Sequence, residues 1–208
     1  MSRFMGILGF CLSLWLVASP AIAAPSEAQL AASAQNYFAG LFENLSTAAG
    51  QHPTPDTFRS IMKPLVADID GLYGATLIDD QFIIRQVYFS RNFLARGFDL
   101  KKVEELEYFW DRMRTAPSAQ LSEPGHGSVL QPRLIAMRSP IIRDGVLTGV
   151  VSLMVRTEAF LKATGLDRCQ AYRITCRGKV AESQGELGNS PHRVQLNLPA
   201  TNWLIEYR

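Results

Sequence analysis

The apolar positions of the chain recur at two different spacings, and the change between them divides it. In the first part they follow a helix. Leu30, Tyr37, Phe38, Leu41, Phe42 and Leu45 share one helical stripe that ends near Gly50. Ser26 stands ahead of the stripe, and Ser26-x-x-Gln29 has the form of a capping box. His52-Pro53-Thr54-Pro55 marks a loop. Asp56 is placed to cap a second helix, with Phe58, Ile61, Met62, Leu65, Val66 and Ile69 as its apolar face. Pro64 lies inside that run and should kink or interrupt it, because proline lacks the amide hydrogen and its ring crowds the preceding turn.

From Gly71 the spacing becomes strand-like. Leu72 to Ile78 and Phe82 to Phe89 read as two strands joined at Asp79-Asp80-Gln81. A less regular stretch, Ser90 to Leu100, precedes a third helix over Lys101 to about Arg114, with Leu106, Phe109, Trp110 and Met113 as its apolar positions. Ala116 to Pro132 is a long loop rich in Ser, Pro and Gly. Leu134 to Val155 is the most informative stretch: two apolar, β-rich runs flank Arg143-Asp144-Gly145, and Asp-Gly supplies the positive φ of a tight hairpin. Thr157 to Thr164 predicts a short helix closed by Gly165. In the tail, Ala171–Thr175 and Lys179–Glu182 flank Arg177-Gly178, and Val194–Leu198 and Trp203–Tyr207 flank Pro199-Ala200-Thr201-Asn202. Early helices followed by paired strands predict an α+β fold with one mixed or antiparallel sheet.

Residues 1–24 read as a cleaved signal peptide. Arg3 is its basic start, and Phe4 to Val17 is an uncharged apolar core of 14 residues, short of the about 20 that span a membrane. Ala21-Ile22-Ala23 is a small-x-small cleavage pattern; an uncleaved anchor is the rival reading. Cys11 follows Phe10, not the small residue a lipoprotein site wants. The expected product is periplasmic and soluble, with 25–70 as a helical segment and 71–208 as the domain that carries the strands. The chain carries 21 Lys and Arg against 19 Asp and Glu. That balance lacks the one-sided basic excess of a nucleic-acid binder.

Export makes Cys169 and Cys176 candidates for a disulfide. Seven residues of straight strand span about 23 Å, whereas bridged Cα atoms lie about 4.4–6.8 Å apart. A bridge therefore requires the segment to turn back, and two separate buried thiols are the alternative. Catalytic signals are weak. Gly125-His126-Gly127-Ser128 is not Gly-x-Ser-x-Gly, and His52, His126 and His192 have no second ligand at metal spacing. No enzyme, cofactor or metal is expected.

The pattern resembles the Cache domains, extracellular PAS-like sensor modules of bacterial chemoreceptors and sensor kinases. The resemblance rests on the long first helix, on Gly71-Leu72-Tyr73-Gly74-Ala75-Thr76-Leu77-Ile78-Asp79 as first strand and turn, and on Glu107-Tyr108-Phe109 as the helix after the variable loop. It rests most on Arg138-Ser139-Pro140-Ile141-Ile142-Arg143-Asp144-Gly145-Val146-Leu147-Thr148-Gly149-Val150-Val151, with Leu198-Pro199-Ala200-Thr201-Asn202-Trp203 as the closing strand.

It implies a PAS-like antiparallel sheet and a small-molecule ligand held between the sheet and the segment from Tyr88 to Trp110. Tyr88, Arg91, Arg96, Tyr108, Trp110, Arg133 and Arg138 gather in that region. Arginine supplies a fork for a carboxylate, and an aromatic ring supplies a wall or cation site. Arg138 stands first because it interrupts an apolar strand; the alternative is an edge arginine with its head in solvent. Tyr108 and Trp110 are two apart on a helix and cannot share a face. The arginine-x-tryptophan-tyrosine signature of the amino-acid-binding subset is absent, so the arginines lean toward an organic anion. The resemblance further implies a membrane-bound receptor or kinase as partner and a homodimer through the first helix. The rivals are a protein-interaction module that has lost its pocket and, last, a hydrolase.

Overall fold

The computed structural model describes residues 24–88, 95–125 and 133–208. Helix α1 (Glu27–Gly50) begins at the expected capping box: the Gln29 amide donates to the Ser26 hydroxyl, and the Ser26 amide donates to the Gln29 side chain. Helix α2 (Phe58–Val66) follows. Its cap is not Asp56. Thr57 occupies that position, and the turn is closed by reciprocal Thr54–Thr57 hydrogen bonds. Pro64 is accommodated in the last turn, and α2 ends two residues later.

Strands β1 (Leu72–Asp79) and β2 (Ile84–Tyr88) form the expected hairpin. The third helix, expected from Lys101, is shorter. Two 3-10 turns, Leu100–Lys102 and Glu104–Leu106, precede α3 (Glu107–Thr115). The following loop holds a two-residue strand, β3 (Gln120–Leu121). Strands β4 (Leu134–Arg143) and β5 (Val146–Arg156) form the long hairpin, turned at Asp144 (φ 50°) and Gly145 (φ 76°). Gly149 is needed for another reason: a Cβ there would lie 2.7 Å from the carbonyl oxygen of Ile78. Helix α4 (Thr157–Thr164) is closed by Gly165 in the left-handed conformation. Strands β6 (Tyr172–Cys176), β7 (Lys179–Gln184), β8 (His192–Leu198) and β9 (Thr201–Tyr207) complete the chain.

The strands build two antiparallel sheets where one was expected. The first has the order β2-β1-β5-β4-β3 and the second β7-β6-β9-β8. Local pattern predicts each hairpin, but whether two hairpins join one sheet is decided by what lies between them. Here α4 turns the chain away from the first sheet before β6 begins. Helix α1 packs on both sheets, and one core contains residues of each. Its centre is aromatic. Phe38 of α1 stacks on Phe160 of α4 at 5.1 Å, and Trp203 of β9 meets both rings edge-on. The Tyr207 hydroxyl donates to the Pro25 carbonyl at 2.8 Å, joining the end of the last strand to the start of α1.

The disulfide is not formed. Cys169 and Cys176 are both buried free thiols. Cys169 precedes β6 and Cys176 ends it opposite Trp203, so the straight strand between them holds the sulfurs apart. Burial pushes both thiols above their ordinary pKa, with Asp167 adding to it at Cys169 and Glu123 at Cys176.

Candidate functional site

Alternation along the first sheet sorts its residues onto two faces. Ala75, Leu77, Ile135, Met137, Val151, Leu153 and Val155 face α1. The opposite face is covered by α3, where Trp110 and Met113 pack with Ile78, Phe82, Ile84, Val87 and Val150. Strand register places one row straight across that covered face: Gln120, Arg138, Ser152 and Thr76, on β3, β4, β5 and β1 in turn. All four are buried, Gln120 completely and the others 4% exposed. A polar row inside an otherwise apolar layer is costly unless its groups find partners.

Arg138 is the centre of that row. Its guanidinium carbon lies 4.9 Å from the ring centroids of both Phe109 and Trp110. Its Nη1 is buried without a hydrogen-bond partner among the described residues, and so is Oε1 of Gln120. The Gln120 amide nitrogen donates to the Phe109 carbonyl, which ties the end of the row to α3. Burial lowers the Arg138 pKa to about 10, and the negative charge of Glu123 works against that fall. Glu123 itself is ion-paired with Arg177 at the β6–β7 turn. A cation is thus buried against two aromatic faces. Chemically, the arrangement suits an anion that brings its own acceptors.

The other expected residues divide. Trp110 belongs to this site: it stacks on Phe82 at 4.8 Å, and its indole nitrogen donates to the Leu100 carbonyl. Tyr108 points elsewhere, as its spacing from Trp110 requires. Its hydroxyl donates to the Ala200 carbonyl beside β9, and its ring meets Arg177 at 4.6 Å. Tyr88 lies on the α1 side of the sheet, with Arg59 of α2 over its ring, and is not a pocket residue. Arg133 is bound to Glu182 and Glu158 in an ion-pair network at the base of β4. Arg96 is exposed in the turn after β2. Arg91, His126 and Ser128 lie outside the described residues.

Sequence pattern missed Gln120, Glu123, Phe109 and Arg177. The first two sit in a stretch whose composition reads as loop, and a two-residue strand has no periodicity to detect. Arg177 occupies a turn position, where arginine carries no signal. Phe109 was recognised only as an apolar helix position.

No family model matches the chain, and no curated protein matches its sequence. Solved structures do. An extracellular ligand binding receptor from Desulfohalobium retbaense superposes with a TM-score of 0.66 at 15% identity, over 86% of this chain and 39% of that one. The ligand-binding domain of the Pseudomonas aeruginosa amino acid chemoreceptor PctB, in complex with L-Arg, gives 0.63 at 16%, over 88% and 90%. That of the Pseudomonas fluorescens chemoreceptor CtaA, with L-alanine, gives 0.59 at 16%, over 86% and 91%. The chain therefore spans well under half of the first receptor and nearly all of each isolated domain. Its fold is the Cache type of chemoreceptor ligand-binding domains: an α+β arrangement with a long N-terminal helix and antiparallel sheets.

Proposed function

We propose that this protein is a periplasmic sensor domain that binds a small organic carboxylate at Arg138. A membrane-bound receptor or kinase would read its occupancy. The observation that carries this reading is the Arg138 guanidinium, buried against Phe109 and Trp110 with Nη1 unpartnered among the described residues. An unpaired charge in a dry layer costs several kcal/mol, a cost that a bound carboxylate offsets. The fold neighbours support the class, since the PctB and CtaA domains were solved with L-Arg and L-alanine, and each of these carries a carboxylate. Residues 71–208 act as the sensor, and the helical segment 25–70 acts as its support. The leader-like pattern of residues 1–24 supports export. Among the described residues no helix is long and apolar enough to cross a membrane. Dimerisation through α1 would give the partner a two-fold target.

A second reading has its own observation. Phe109 and Trp110 close directly on the guanidinium, as they would in an interaction module whose pocket has been filled. A thermal-shift screen of residues 25–208 against small carboxylates, amines and sugars separates the two. A carboxylate at a hundredfold excess over its Kd adds about 2.7 kcal/mol of stability. Arg138→Met should abolish that shift and leave a folded protein. If no carboxylate gives a shift that Arg138→Met abolishes, the Arg138 site fails, and a melting temperature unmoved by every compound makes the interaction module the better account.

A further inference from the structure

The second sheet carries a cleft that the Arg138 site does not use. Its volume is about 610 Å³, and its floor is the outer face of β6, β8 and β9. Thr175, Leu204 and Gln195 lie in register across that floor, with Asn202 on the same face of β9. One wall comes from α3, which belongs to the other sheet's layer. Tyr108 and Arg112 project from it, and Arg177 rises from the β6–β7 turn opposite.

The charges along this wall are unbalanced. The guanidinium carbons of Arg112 and Arg177 lie 5.7 Å and 4.6 Å from the centroid of the Tyr108 ring. Glu123 pairs with Arg177. Arg112 donates to the Tyr108 hydroxyl at 3.3 Å and has no carboxylate partner among the described residues. Two cations therefore share one anion at the mouth of a cleft. Beside them stand amide and hydroxyl side chains, and Leu204 provides an apolar patch. The size falls within the range of small-molecule sites, which combine an apolar lining with a few convergent polar groups.

We infer that this cleft is a second ligand site, for a small organic monocarboxylate with a flat apolar body. The carboxylate sits at Arg112 and Arg177, and the body lies along Tyr108 and Leu204. A bare inorganic anion would leave the apolar patch uncovered. A neutral apolar molecule would leave the arginines unanswered. The site differs from the Arg138 row: it is open to solvent, it lies over the other sheet, and Arg138 is not among the residues that line it.

The test is an amide NMR titration of residues 25–208 with benzoate, using benzyl alcohol as the uncharged control. The largest shifts should fall at Tyr108, Gln195, Asn202 and Leu204, and benzyl alcohol should produce far smaller ones. Arg112 is exposed and pairs with no described carboxylate, so Arg112→Gln should fold normally. It should weaken benzoate about tenfold, the loss expected for one charge-assisted hydrogen bond. Arg138→Met should leave the cleft shifts in place. The inference is overturned if benzoate causes no shift in the cleft, if benzyl alcohol matches it, or if Arg112→Gln binds as the parent does. Cleft shifts that vanish with Arg138→Met would also overturn it, and would assign benzoate to the inner site. A failure of the Arg138 proposal alone leaves the cleft shifts unchanged.

Discussion

The two sheets share a helix and a core, yet treat their second faces in opposite ways. The first sheet covers that face with α3 and buries an arginine beneath two aromatic rings. The second sheet leaves its outer face accessible and pairs the charges of its strands there: Glu206 lies between Arg173 at 3.3 Å and Arg193 at 3.1 Å. A paired, solvated charge contributes little to either stability or recognition. An unpaired, dry one destabilises the fold and has affinity to offer. On the proposed function, the buried arginine is where the molecule accepts a cost in stability for the sake of a ligand.

The comparison breaks most readily at the cover. Trp110→Ala removes a side chain that is 2% exposed and stacked on Phe82, and should cost about 3–5 kcal/mol in urea denaturation. Leu204→Ala, on the accessible face, should cost well under half of that.

Next in size is the arginine itself. Arg138→Met keeps the volume and deletes the charge. It should stabilise the unliganded protein by about 1–4 kcal/mol while removing carboxylate binding at the inner site, as read by denaturation and thermal shift together. A net loss of stability would mean that the guanidinium is already satisfied.

Alkaline titration sharpens the same point through opposing signs. Burial raises the Tyr37 pKa to about 12, with Asp70 adding to the rise, and it raises both thiols above 9.0. In each case the folded chain keeps a proton that the unfolded chain releases. Their contribution is complete below pH about 9 and lost above it. Arg138 runs the other way. Its folded value of about 10 lies below the ordinary arginine value, so above about pH 10 the unfolded chain holds the extra proton and stability rises with pH. Urea midpoints from pH 8 to 11 should fall, and fall more steeply in Arg138→Met. Carboxylate affinity should be level to pH 9 and decline beyond about 10.

The smallest effect belongs to the open face. Arg173→Met should change stability by about 0–1 kcal/mol, and less still in high salt.

Much of this was legible in the sequence, for reasons that differ by residue. Asp144-Gly145 and Arg177-Gly178 turn as hairpins because both pairs adopt positive φ. Arg138 stood out because it broke an apolar alternation. Tyr88 was misplaced because both faces of β2 are covered, and alternation says only that Val87 and Tyr88 point oppositely, not which helix each meets. The division into two sheets, the bond from Gln120 to α3 and the separation of the thiols are long-range facts. No local spacing encodes them.

The hydrogen bond between Tyr207 and Pro25 has a topological consequence. These residues, 182 positions apart in sequence, lie side by side. A few added residues joining Arg208 to Pro25 would close the chain into a ring with little strain. The ring can then be reopened at Asp144-Gly145, which stands at the tip of the long hairpin. Such a circular permutant keeps every strand partner while severing the covalent path between β4 and β5. It would show whether the arginine-bearing strand finds its place through its turn or through its neighbours.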